Sequence, residues 1–515
     1  MEGAIEPPTL KPRIPIIGHL IGILWHQAAY LERLGNDLTA PIATLPMVNR
    51  NIYLITSPAL ALEAFRSPNL AFEPFSIEPG SRIFRFSKDP IDNSTRTEQR
   101  CPNAPSAREE LNFALHDGLA RENFRKLILS SLNRFSFVIN GMGQVTELES
   151  LYGWIRKTMA LATSRALFGA EDPLNKDHDL LNSLGDFNDG LSGLIIGFCP
   201  SIFAPRAYRA RAALQAAFSN YYLNHHEDER DVSHLIKERA KIYRERGIDP
   251  LEIAKQELSL LQLFTGDPIN IAFWLFIYIA TDPVARDMIR IEIMAAIRPE
   301  TGRAGWEDVI LNIATLEERC PQLVSAYKEA ERLVVSQVSI RRVVEDTVIS
   351  DGECNYMLKE DADVQIPAGL CHLSKEVWGK HADAFNFRRF YTPVTTGDAA
   401  RRMTQPDPAE EAAQQALFRS RMQAFFPFGG GKHLCPGRQY ASVQILALIV
   451  PLIVGFDIKS RNGGFIERPE MVRGRLGEAV SRPSTEGMRM GAILIRREQW
   501  QGAVWKYVSD RFAER

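Results

Sequence analysis

Cys435 offers the most distinctive chemistry in the chain. It sits in Phe428-Gly-Gly-Gly431-Lys-His433-Leu-Cys435-Pro-Gly437, on a glycine-rich loop just before an apolar stretch of helical character that opens at Arg438. Loop amides and the positive end of such a helix would point toward the sulfur and favour its thiolate form. A thiolate is a metal ligand, but one alone does not hold zinc, and no Cys-x-x-Cys or His-x-x-x-His set lies nearby. Haem iron needs only one protein ligand, because the porphyrin supplies four donors. Glycines also let a flat macrocycle come close to the backbone. The alternatives are a buried structural cysteine or a thiol nucleophile. For the latter, His433 is only two residues away, and no independent base and orienting group can be picked out.

A second group lies on the stretch Leu251–Ala280. Its second half, from Ile269 on, is almost wholly apolar, which predicts a helix crossing the protein interior. Thr265-Gly-Asp-Pro268 and Asn270 interrupt that character and argue against a membrane span. A proline inside a helix removes a hydrogen bond and bends the axis, and such a break often borders a ligand. Two helices joined by a Gly-Asp-Pro turn would read the same way. Asp267 lies three residues before Asn270, so both side chains share a groove if the helix is continuous. Farther on, Glu329 and Arg332 are three apart on a predicted helix and share a face. Arg341 and Arg342 read locally as a solvated basic pair.

These residues need elements to position them. A short helix is expected near Gln27–Leu34, then neighbouring strands from Ile42 and from Asn51, then a serine-led helix from Ser57 with an early proline. Residues 70–107, rich in proline, serine and aromatics, read as long loops. The region from about 108 to 340 reads as mainly helical. Strand-like pieces return after 343, followed by the cysteine loop and a closing helix. The 515 residues suffice for a large core. A net charge of −2 and a pI near 6.6 give no case for nucleic-acid binding. Six scattered cysteines read as reduced thiols, not as a disulfide framework. The start lacks a signal-peptide pattern, and the run Ile14–Leu24 suits contact with a membrane surface better than a span.

The cysteine loop resembles the haem-binding signature of the cytochrome P450 family. Phe428, Gly431, Cys435 and Gly437 match its fixed positions, and His433 stands where arginine is usual. Glu329-Ala-Glu-Arg332 resembles the family's Glu-x-x-Arg pair. Arg389, in Phe385-Asn-Phe-Arg-Arg389-Phe390, holds the place of its third member, although Phe387 replaces a proline. The likeness extends over nearly the whole chain and is closest to the branch of sterol and bile-acid hydroxylases and prostacyclin synthase. It carries the style of a filamentous-fungal secondary-metabolism enzyme.

The resemblance implies a mainly α fold with smaller β sheets, as one catalytic domain over 1–515. The haem would lie between the long central helix and the cysteine-bearing helix. The chain would begin at the proline-rich hinge, without the anchor helix. Haem b would be ligated by Cys435 beside Phe428, with Arg341, His433 and Arg125 toward its propionates. For Arg125 a solvated basic face is the alternative. Gly266, Ile271, Gln337 and Val338 would line the substrate pocket. Family members usually carry an acid and a threonine in the central helix. Aligned on Phe273-Trp274, Ile269 and Asn270 take those places, and Asp267 is the local acid that would compensate.

Two activities follow from the resemblance. One is a monooxygenase acting on a hydrophobic terpenoid, sterol-like or other secondary metabolite, with O2 and electrons passed from NADPH by a cytochrome P450 reductase. The other is a redox-neutral isomerase, dehydratase or cyclase acting on a pre-oxidised substrate. A haem sensor or electron-transfer module is the reading from another class. The expected molecule is a monomer. It would sit on the cytosolic face of the endoplasmic reticulum if a native anchor was removed, and otherwise be cytoplasmic or peripheral to a membrane.

Overall fold

The computed structural model describes residues 4–12, 18–86, 105–297, 308–391 and 408–508. The chain divides into two compact units. One comprises Met1–Glu78, Val324–Cys435 and Met471–Arg482; the other comprises Pro79–Leu323, Pro436–Glu470 and Pro483–Arg515. The class is the expected one, mainly helical with small sheets.

The first unit is built on a five-stranded sheet in the order Ile42–Pro46, Asn51–Ile55, Asp363–Pro367, Val338–Val343, Leu70–Ala71. The first two strands are the expected neighbours and pair antiparallel. Strand structure returns at Val338, earlier than the expected 343, because Val338–Val343 finds an antiparallel partner in Asp363–Pro367. Leu31, Leu45, Ile52, Leu54 and Leu370 form a buried cluster against which Val338 packs. Each large side chain buried there contributes roughly 1.5–3 kcal/mol. The expected Gln27–Leu34 segment lies within Leu20–Asn36, which is two helical stretches broken at Gln27 (φ 54°, ψ −136°). The Gln27 side chain accepts a hydrogen bond from the Leu476 amide. Pro58–Arg66 begins after Ser57 with proline in its first turn, although the serine hydroxyl makes no capping bond. The loop expectation for 70–107 is corrected at Glu73–Phe84, which is helical. Pro74 falls in the first turn, where a missing N–H breaks no helical bond. Residues 87–104 of that stretch lie outside the described residues.

The expected Glu329–Arg332 pair is fully buried, not solvated. Arg332 grips Glu329 through Nε and Nη2 at 2.8 and 2.9 Å, and its Nη1 donates to the His372 carbonyl at 2.6 Å. Arg389 donates from Nε to the same carboxylate at 2.8 Å, and to the carbonyls of Trp378, His381 and Ala384. The Asn386 amide adds a bond to Glu329 Oε1 at 3.1 Å. One carboxylate thus fastens the helix Pro321–Val334 to the chain from Trp378 to Arg389. Removing its charge leaves two guanidiniums in a dry site, which costs about 3–5 kcal/mol. Glu329→Gln is therefore expected to lower the unfolding free energy by about that much. A urea midpoint equal to that of the parent would contradict it.

The second unit is dominated by one continuous helix, Pro250–Thr281, of 32 residues. It starts with Asp249, whose carboxylate accepts from the Leu251 and Glu252 amides, and with Pro250 at its first position. Pro268 lies inside it without ending it, so the reading as two helices joined by a turn is corrected. Packing of the apolar second half on the helices Pro205–Leu223, Leu151–Phe168 and Arg438–Gly455 holds the segment together through the proline. Arg239 fixes the first half through Glu257 at 2.8 Å, both side chains buried. Residues 298–307 lie outside the described residues; among the described ones the mainly helical expectation for 108–340 holds, with the short strands Val145–Leu148 and Asp308–Asn312 and the start of the Val338 strand as exceptions. Among the described residues two helices, Pro250–Thr281 and Arg438–Gly455, are long and apolar enough to cross a membrane, and most of each is buried inside the protein.

Candidate active site

The cysteine loop folds back on itself. The Cys435 amide donates to the Phe428 carbonyl at 3.2 Å, Leu434 to Gly431 at 3.2 Å and Gly429 to Phe426 at 3.1 Å. Each of the three glycines has its own reason. Gly430 and Gly431 lie against the end of the Pro58–Arg66 helix, where a Cβ would come within 2.5 Å of the Phe65 ring and 1.9 Å of the Phe65 carbonyl oxygen respectively. Gly431 also has φ +66°, and Gly429 has φ +73° with nothing within 4 Å of where its Cβ would be. The loop is tight on its helix side and open at Gly429. Cys435 is half-buried and in no disulfide.

Arg341 and His433 lie near this loop within the same unit. Arg341 is 4% exposed, and its guanidinium lies 5.4 Å from the ring centres of both Phe65 and Phe72. The His433 ring lies 5.3 Å from the Phe72 ring. Arg341 and His433 thus share Phe72 as a neighbour. Strand alternation sends Arg342 to the other face, where it pairs with Asp363. The reading of Arg341 and Arg342 as a solvated pair is therefore corrected. Gln337 braces the loop's approach through the Phe426 carbonyl at 3.4 Å.

His372 was not singled out by sequence, and it joins the Glu329 network to the loop. Its carbonyl accepts from Arg332, and its Nε2 accepts from the Phe426 amide at 3.1 Å. Accepting at Nε2 requires the neutral ring. Burial, and then the Arg332 charge, lower its pKa to about 3.

In the second unit the central helix shows one accessible stripe. Lys255, Ser259, Gln262, Leu263, Gly266 and Asp267 are reached by solvent while their neighbours are buried. Spacings of three and four put them on one face. Leu263 is 66% exposed in the middle of an otherwise buried helix. Asn270 is next along the stripe and is covered: Tyr152 donates to its Oδ1 at 2.9 Å. Asp267 and Asn270 therefore do lie on one face, as expected, but only Asp267 is accessible. Ile271 is buried. Arg125 stands on the helix Arg121–Asn140, bonded to Glu122 at 2.7 and 2.9 Å in a part-exposed pair, the arrangement of a solvated basic face.

The donor set fits haem. Among the described residues no group of three His, Cys, Asp or Glu could hold a metal ion, and haem asks for only one donor from the protein. The open side at Gly429 and the two basic side chains around Phe72 suit a flat, doubly acidic macrocycle. Comparison with known proteins agrees. The sequence model of the cytochrome P450 family matches residues 269–476. A cytochrome P450 monooxygenase of Gibberella zeae is 32% identical over 515 residues, covering 99% of this chain and 93% of its own.

The chain belongs to the cytochrome P450 family. It is a fungal-type P450 monooxygenase, an oxidoreductase acting on an organic substrate, with the haem-thiolate cofactor typical of the family. It is also similar to the P450 monooxygenase nodJ of Hypoxylon pulicicidum, at 23% identity over 98% of this chain and 92% of that one. Cytochrome P450 7A1 of Sus scrofa is 22% identical over 93% and 92%. A hydrophobic substrate and a reductase partner accord with the family.

Two outcomes are expected here. Cys435→Ser should abolish the thiolate-haem band of the reduced, carbon-monoxide-bound protein, and a normal band in that variant would contradict the ligand assignment. The stability contributed by neutral His372 is complete above its ordinary pKa of 6.5 and is lost as pH falls toward about 3. Thermal melting across that window should be less steeply acid-sensitive in His372→Gln than in the parent; equal slopes would contradict the assignment.

Proposed function

We propose that this P450 is a haem-thiolate monooxygenase of fungal secondary metabolism, its two units acting as one catalytic domain. Its substrate is an apolar, ring-bearing terpenoid or sterol-like molecule, and its electrons come from NADPH through a cytochrome P450 reductase. The substrate class draws on the similarity to the branch that includes cytochrome P450 7A1 and the cholesterol 7-alpha-monooxygenase of Cricetulus griseus. The proposed location is the cytosolic face of the endoplasmic reticulum membrane.

Haem b bound through Cys435 would supply an iron made electron-rich by its thiolate, able to activate O2. The chain's own residues do the rest. Arg341 and His433 offer N–H donors to the two propionates. The amide bond from Cys435 to Phe428 and the brace from Gln337 to Phe426 keep the sulfur's loop in place.

The observation that carries the reading is the accessible stripe on an otherwise buried helix, ending in a carboxylate at Asp267. Oxygen activation consumes protons, and a carboxyl group with solvent contact along a polar stripe can pass them in. Gly266 beside it carries no side chain, and Gln262 Nε2 lies 2.9 Å from where a Cβ there would be. The nearby hydroxyl, Thr265, is buried and donates to the Leu261 carbonyl at 2.7 Å, so it is already engaged.

Asp267→Asn is expected to cut product formed per NADPH by about tenfold or more, while leaving the spectral response to substrate binding unchanged. Stopped-flow and product quantitation with the reductase measure both. Unchanged coupling would overturn the role of Asp267. Product formation without NADPH would instead establish redox-neutral turnover.

A further inference from the structure

Within the second unit the helices Ala107–Gly118 and His234–Glu245 lie side by side, with a groove of about 770 Å³ between them. Each starts on a serine. Ser106 accepts from the Glu109 amide at 3.3 Å, and Ser233 from the Ile236 amide at 3.3 Å. At one end the helices touch, since a Cβ on Gly118 would come within 2.7 Å of the Leu235 Cβ. Asp117 accepts from His234 there at 2.8 Å, and Glu110 accepts from Arg246 at the far end at 2.7 Å. The two helices therefore run antiparallel and are pinned at both ends. Glu110 and Asp117 are seven residues apart, which spans roughly 10 Å, or two helical turns. The groove is a surface of fixed shape on regular structure.

Two features set it apart from an ordinary solvated face. The first is apolar lining, supplied by Phe113, Ala114 and Ile242. Phe113 is 73% exposed, although Leu111 and Ala114 of the same helix are buried. The second is charge of one sign. Besides the two paired acids, Glu109, Glu238 and Glu245 line the groove, against Lys241 alone. Glu238, Ile242 and Glu245 follow at steps of four and three and so share a face. Among the described residues Glu238 and Glu245 make no hydrogen bond or ion pair.

An exposed aromatic ring among carboxylates matches one kind of side chain well. The stem of a lysine or arginine packs along the ring, its cation meets the ring face, and its head reaches a carboxylate. An open groove two turns long receives such side chains from a helix, at spacings of three and four. A small molecule calls for a pocket that surrounds it. We propose that this groove docks a basic amphipathic helix of a partner protein. Phe113 and Ile242 meet its apolar side chains, and Glu238 and Glu245 meet its cations. A contact of this size makes a transient complex. The inference is independent of the oxidation chemistry, because none of these residues belongs to the cysteine loop or to the accessible stripe of the central helix.

The test uses the full-length, haem-loaded protein. The probe is a labelled synthetic helix with leucines along one face and arginines flanking them. Fluorescence anisotropy is expected to show saturable binding that weakens with added salt. Phe113→Ser should weaken it about tenfold, and Glu238→Lys combined with Glu245→Lys about tenfold or more. Glu353→Lys, at an exposed position in the other unit, should leave it unchanged. Hydrogen exchange should slow in both helices when the peptide is added. The thiolate-haem band and melting temperature of each variant, compared with the parent, separate lost binding from lost fold. No saturable binding would overturn the proposal. Binding indifferent to Phe113→Ser, or weakened equally by Glu353→Lys, would reduce the contact to general charge attraction and overturn it too. A dimer of the parent in sedimentation, dissolved by the double charge reversal, would give the groove to a second copy of this chain and likewise overturn it.

Discussion

The first unit depends on one carboxylate. Glu329 is fully buried and is satisfied by two guanidiniums and a backbone amide. A single arginine would leave much of that carboxylate unsolvated, and two arginines without it would repel in a dry site. Together they fix the helix Pro321–Val334, the His372 carbonyl and the chain from Trp378 to Arg389 in one geometry. From His372 the constraint passes to the Phe426 amide, and from there along two residues to Phe428, whose carbonyl receives the Cys435 amide. The position of the sulfur is thus set by an ion network far from it in sequence. Phe387, in place of the usual proline, leaves Arg389 in its role, because the arginine's place is fixed by its bonds to Glu329 and three carbonyls.

The second unit solves a different problem. A helix with proline at its centre must be held by packing, and Pro250–Thr281 is buried through nearly all of its second half. Where packing ends, the helix presents Leu263, Gly266 and Asp267. Where it resumes, a polar side chain is buried against Tyr152. The same segment therefore carries both structural continuity and an accessible polar face.

The legible parts of the fold and site were those written locally. The loop from Phe428 to Gly437 could be read because glycine, cysteine and proline types at fixed spacing have few other uses. The Glu329–Arg332 pair was legible as an i, i+3 spacing, but its burial was not, since spacing alone does not distinguish a dry pair from a wet one. The helix Glu73–Phe84 was missed because proline and serine are common to loops and to first helical turns. Tyr152 gave no signal, because its partner Asn270 is remote in sequence and a tyrosine early in a helix is usually core. The same holds for Phe65 and Phe72 around Arg341, and for His372. Arg125 was selected by resemblance and lies in a local pair with Glu122, which spacing alone already allowed.

The central claim is that this P450 inserts oxygen into an apolar substrate. Turnover under 18O2 with NADPH and the reductase, followed by mass spectrometry of the product, tests it most directly. One labelled oxygen atom per product, absent when NADPH is withheld, is the predicted result. A product of unchanged mass formed without NADPH would contradict it.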